Sequence, residues 1–223
     1  ISSFTVVAVD ESRAAALRAT PLLATLAGRM QTRVSTRLER RIASRHERGD
    51  PSPPGMPVVE TGPGSADNVS WMLHHGAAQI LCLPPGAVVP SRVVIHTLDA
   101  AANDGTFAVA ASLLRHVPAE SLYLAIHPFE TPDDERGAKL RELLDARSNA
   151  LGRHGLDLCT EARFGEAKSE LSRELLAQDH PMLVLGVDDL ERLDDRWLAD
   201  LLESPVQRPV LIVRHSADAH GGG

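Results

Sequence analysis

Few side chains in this 223-residue chain are spaced for catalysis. No Gly-x-Ser-x-Gly elbow, Cys-x-x-Cys pair, His-Glu-x-x-His run or phosphate-binding Gly-x4-Gly-Lys loop occurs. His74 and His75 are adjacent on an expected helix, so their rings diverge and cannot chelate one metal as an i, i+4 pair could. Gly62-Pro63-Gly64-Ser65 precedes that helix; it could receive an anion, but a turn and N-cap explain it more simply. Cys82 and Cys159 both fall in expected strands and read as buried free thiols rather than a disulfide or metal site. Arg29, Arg33, Arg37, Arg41 and Arg45 recur every four residues. On a continuous helix they would form a basic stripe, read here as solvated surface.

The elements that would position any site alternate regularly. From Gly155 to His215 the chain reads strand, helix, strand, helix, strand, and Ser91 to Phe129 supplies another strand–helix–strand ahead of it. Such alternation predicts βαβ units and a parallel sheet. The apolar runs Met182–Val187 and Val210–Val213 suit strands covered on both faces, with Val210–Val213 as an exposed last strand inviting symmetric pairing. Thr131-Pro132-Asp133-Asp134-Glu135 starts a helix that Leu140, Leu143, Leu144 and Leu151 continue. Leu190, Leu193, Trp197, Leu198 and Leu201 make the apolar face of the last helix.

The first ninety residues look like a worn copy of the rest. A strand ends in Asp10, and a helix over Glu11–Met30 presents Ala16, Ala19, Leu23, Leu26 and Met30 on one face, with a kink or restart at Pro21. A strand over Gln31–Leu38, an Arg-rich helix and the breaker Gly49–Gly55 follow. Strand 57–60, helix 65–75 and strand 78–83 then match 157–185 in order and length. The expected units are residues 1–88, lacking a fourth helix and fifth strand, residues 89–216, and a disordered tail, 217–223.

This order and spacing resemble the universal stress protein family, which implies a three-layer α/β fold of the adenine-nucleotide-binding kind. The resemblance also implies three site features. An Asp closing the first strand holds base and ribose; Asp10 fits, and Asp99 follows two residues late, with Thr97 at the matching position. An Asp in this place serves equally as an N-cap. A His-Val pair would meet adenine, but here His127-Pro128 lacks the second backbone N–H. A glycine motif after the fourth strand would cradle phosphates, yet only Gly186 remains of it, followed by Asp188, Asp189 and Glu191.

The resemblance therefore implies a non-enzymatic regulatory or interaction module that takes no cofactor and binds no metal. The alternative is a nucleotide-binding stress protein with a remodelled pocket. The charge agrees with the absence of a nucleic-acid partner: residues 1–90 hold 9 Arg and 7 acids, residues 91–223 hold 14 basic and 23 acidic residues. Expected partners are a second copy, or one repeat for the other as a pseudo-dimer. No apolar run approaches a bilayer span and reduced cysteines suit a cytoplasmic location. A start on Ile1 rather than Met adds the expectation of a covalently linked membrane domain, such as a cation/proton antiporter.

Overall fold

A computed structural model describes residues 3–8, 10–38, 55–98, 104–127, 137–138, 141–142, 144–146, 149, 152–154, 158–203 and 208–214. Its strands are β1 (Ser3–Ala8), β2 (Arg33–Leu38), β3 (Met56–Glu60), β4 (Gln79–Leu83), β5 (Arg92–Thr97), β6 (Glu120–His127), β7 (Cys159–Phe164), β8 (Pro181–Val187) and β9 (Val210–Arg214). Its helices are α1 (Glu11–Arg18), α2 (Pro21–Met30), α3 (Ser65–His74), α4 (Asp104–Leu114), α5 (Ala167–Leu176) and α6 (Asp195–Leu202). The described residues from 137 to 153 are also helical. No helix among the described residues is long and apolar enough to cross a membrane.

All nine strands form one sheet in the order β2-β1-β3-β4-β9-β8-β5-β6-β7. Every pairing is parallel except β4 with β9, where Ile80 faces Ile212 and Leu81 faces Leu211. Period-2 alternation sends Phe4 and Val6 to one face, under α1, α2 and α4, and Val7 to the other, under α3, α5 and α6. Two apolar cores result, and strands such as β8 are buried along their whole length. The α/β sheet with helices on both faces is the architecture expected from the alternating elements.

Three expectations are corrected. First, Val210–Val213 is no edge: β9 lies mid-sheet, saturated by β8 on one side and β4 on the other. Second, β3 pairs with β1 as β8 pairs with β5, and β4 meets the seam as β9 does. In topology, residues 56–83 therefore correspond to 181–214, not to 157–185. The fifth place of the first half is filled by β4, and among the described residues no strand flanks the outer side of β2. Order and length alone could not separate the two alignments, because both are strand–helix–strand.

Third, the restart expected at Pro21 comes after Thr20 and resets the helical phase: Ala14 and Leu17 are buried in α1, while Ala16 and Ala19, expected on the buried face, are exposed. The strand expected over Gln31–Leu38 is β2, so the five arginines do not share one helix: Arg29 lies in the last turn of α2, Gln31 turns left-handed (φ 51°) and closes that helix, and Arg33 and Arg37 lie on β2. Arg41 and Arg45 are outside the described residues. Leu190 and Leu193 precede α6 in a short 3-10 turn. Cys82 is buried, and burial raises its thiol pKa; Cys159 is exposed at the start of β7.

Candidate functional site

The expected site residues belong to the carboxyl ends of the strands, where open parallel sheets receive ligands. In the first half the strand order reverses between β1 and β3. Asp10 stands at this place and is exposed. Its Oδ1 accepts the Arg13 N–H at 2.9 Å, which makes it the N-cap of α1. Arg13 reaches across to Glu60 at the end of β3, 3.6 Å away.

The turn after β3 is built from glycines for a conformational reason. Gly62 (φ 147°) and Gly64 (φ 78°) hold backbone angles that L-residues rarely take, and Gly64 is the N-cap residue of α3. Gly64 has no side chain to satisfy the helix's free N–H groups. Glu203, one residue beyond α6, does so instead: its Oε1 accepts from Gly64 N at 3.0 Å and from Ala66 N at 3.2 Å. Ser65 Oγ accepts from Gly62 N at 3.3 Å. Gly62–Ser65 is thus a turn leading into a helix whose first N–H groups are met by a carboxylate of the chain itself.

In the second half Gly186 is the sixth residue of β8, and its carbonyl accepts the Leu98 N–H at 2.9 Å. A Cβ there would lie 2.4 Å from Thr106 Oγ1 and 2.9 Å from Thr97 Cγ2. The glycine is thus required by the approach of α4 to β5 and β8. Thr97 is buried with its Oγ1 3.3 Å from the Tyr123 hydroxyl, and buried His96 places Nδ1 2.8 Å from the Leu124 carbonyl. Asp99 and Pro128 are outside the described residues, and His127 ends β6.

The acidic run after Gly186 caps the chain's own backbone. Asp189 Oδ1 accepts from Glu191 N at 3.0 Å, and Asp194 Oδ1 accepts from Trp197 N at 2.7 Å as the N-cap of α6. Arg192 donates to the Leu98 carbonyl at 3.4 Å. At α3, Glu203 thus engages the Gly64 and Ala66 N–H groups, and at α6 Asp194 engages the Trp197 N–H.

Other candidates resolve simply. His75 stacks on Trp71 with ring centroids 4.1 Å apart, and its Nδ1 lies 2.8 Å from the Trp71 carbonyl, so it closes α3. Trp197 is buried in the core. No group of three His, Cys, Asp or Glu side chains among the described residues could hold a metal. Sequence reasoning missed Glu203, since nothing in the chain marks a contact 139 residues away. The Gly64-Ser65 step without a capping side chain was the one available signal.

No protein-family model and no curated protein sequence matches the chain. Among solved structures it is similar to a universal stress protein from Archaeoglobus fulgidus DSM 4304. The identity is 12%, the TM-score is 0.49, and the match covers 98% of this chain and 88% of that one.

Proposed function

We propose that this chain is a non-enzymatic, universal-stress-protein-like regulatory or interaction module whose strand-end crevices are closed to ATP. The observation that carries the reading is the self-capping of both helices that follow the crevice strands. Glu203 occupies the N-terminus of α3 and Asp194 that of α6. A phosphate entering either place would have to displace a carboxylate and would meet like charge.

We further propose that residues 1–88 and 89–216 are two copies of one unit, each completing the other as a pseudo-dimer. The support is the strand order running to the seam: β2-β1-β3-β4 on one side matches β6-β5-β8-β9 on the other, where β7 lies further out as an additional strand, and the two seam strands are antiparallel. A second reading, a remodelled nucleotide pocket in the first half, draws on Gly62, Gly64 and Arg13 around the β1–β3 ends.

A thermal-shift panel of ATP, ADP, AMP and cyclic nucleotides separates the two readings. The module reading expects no nucleotide to move the melting temperature of the whole chain. A concentration-dependent rise that persists in Asp189→Ala and vanishes in Gly64→Val would establish the second reading instead.

A further inference from the structure

A cleft of about 360 Å³ opens at the opposite end of β8 from Gly186, where β8 and β9 begin and β4 ends. That volume is in the range of small-molecule sites. Its walls are the turn Pro84–Val88, the end of α5 with the loop leading into β8, and Arg208-Pro209. The turn is rigid: Ala87 N donates to Pro84 O at 3.1 Å across Pro85 and Gly86 (φ 70°), the pattern of a type II turn. The Ala87 carbonyl in turn accepts from Leu22 N at 3.1 Å, which ties the turn to α2. The loop is held by the Ser91 hydroxyl, which donates to the Asp179 carbonyl.

The end of α5 brings acceptors to this cleft. Its C-cap residue, Ala177, donates to the Arg173 and Glu174 carbonyls, and no donor among the described residues reaches the carbonyls of Leu175 and Leu176. These carbonyls are the negative end of the helix dipole, where a cation is favoured. The base of the last turn, Arg173, donates to Glu170 instead. Asp179 follows in the loop, exposed, and its carboxylate has no ion pair or hydrogen bond among the described residues. Pro84, Pro85, Pro181 and Pro209 remove four backbone N–H groups from the walls. Buried Arg208 already has a partner within the chain, which leaves exposed His180 as the side chain with a donor to spare. The apolar part is equally distinct. Leu176 and Val88, 62% and 41% exposed, are the exposed large apolar side chains among the described residues, and both border the cleft.

We propose that this cleft binds a small primary organic ammonium with an apolar body, its N–H groups toward the α5 C-terminus and Asp179 and its hydrocarbon against Leu176 and Val88. An ammonium carries three donors and no acceptor, which matches a site rich in acceptors and poor in donors. The cleft shares no residue with the glycine turn before α3 or with the caps Glu203 and Asp194. Failure of this proposal would therefore leave the closed-crevice reading standing.

Calorimetric titration of the whole chain at neutral pH with hexylammonium, 1-hexanol and hexanoate tests it. Saturable hexylammonium binding is expected, at least about fivefold tighter than 1-hexanol, with none for hexanoate. Asp179→Asn should weaken hexylammonium about threefold or more and leave 1-hexanol unchanged. Leu176→Ser should weaken both ligands. Both positions are exposed, and urea unfolding of each variant checks that the fold is kept. Absence of saturable hexylammonium binding, equal affinity for 1-hexanol or hexanoate, or unchanged hexylammonium binding in either variant would each overturn the proposal.

Discussion

Glu203 sits 3.0 Å from the backbone nitrogen of Gly64, with a second bond to Ala66 N at 3.2 Å. One side chain thereby joins the end of α6 to the start of α3 across the seam. Ser70 Oγ donates to Asp195 Oδ1 at 3.0 Å along the same helix pair, and Met72, Leu73, Trp197 and Leu198 share the core there. The capping of the glycine turn before α3 and the contact of α3 with the end of α6 rest on the same side chain.

Replacing Glu203 with Ala removes the carboxylate that caps α3. The expected loss is about 1 kcal/mol, the usual worth of an N-cap with a favourable dipole interaction. Urea unfolding should show a lower midpoint with an unchanged slope. Glu203→Gln should retain part of the lost stability, because its amide oxygen can still accept.

Gly186→Ala places a methyl group against Thr106 and Thr97. Overpacking of this kind costs about 1–3 kcal/mol. The double variant Gly186→Ala, Thr106→Ala removes the two contacts made by Thr106 and should recover part of the loss by calorimetry. A glycine kept only for phosphate binding would show no such coupling.

Arg163 joins Glu174 at 2.6 Å and Glu161 at 2.7 Å, beneath α5. The hydrogen bond that Arg163 donates to Glu161 is the largest cause holding its guanidinium above the usual value, with the one donated to Glu174 adding to it against a desolvation cost. A raised basic group contributes fully below its unfolded value and loses that contribution only as pH climbs through the folded one. The Arg163 contribution is therefore flat across the neutral range. Glu174→Ala should cost about 2 kcal/mol at neutral pH, measured by urea unfolding.

Residues 89–216 expressed alone would expose the β9 edge that β4 covers in the whole chain. Light scattering should report a dimer for this piece and a monomer for the whole chain. A monomeric piece would remove the support for pseudo-dimeric pairing.

Much of the fold is legible from residue patterns because its strands are short apolar runs between polar breaks. Met182–Val187 and Val210–Val213 are examples, and each becomes a buried strand. What pattern cannot carry is adjacency. Nothing in Val210–Val213 distinguishes an edge from a mid-sheet strand whose neighbour, β4, lies about 130 residues earlier. The strand over Gln31–Leu38 is legible despite the helical spacing of its arginines, and the αL turn at Gln31 separates it from α2. At the site, Asp10 was legible as an N-cap; Gly186 was not legible as a packing glycine, because Thr97 and Thr106 meet it only in three dimensions.

The central claim is that the α3 and α6 N-termini are closed to nucleotide by the chain's own carboxylates. The most direct measurement is a two-dimensional amide NMR titration of the whole chain with Mg-ATP, following Gly62, Gly64, Ala66, Glu191 and Trp197. The account predicts that these amides stay in place up to millimolar nucleotide. Saturable shifts at micromolar Mg-ATP, centred on Gly64 and Ala66 or on Glu191 and Trp197, would contradict it.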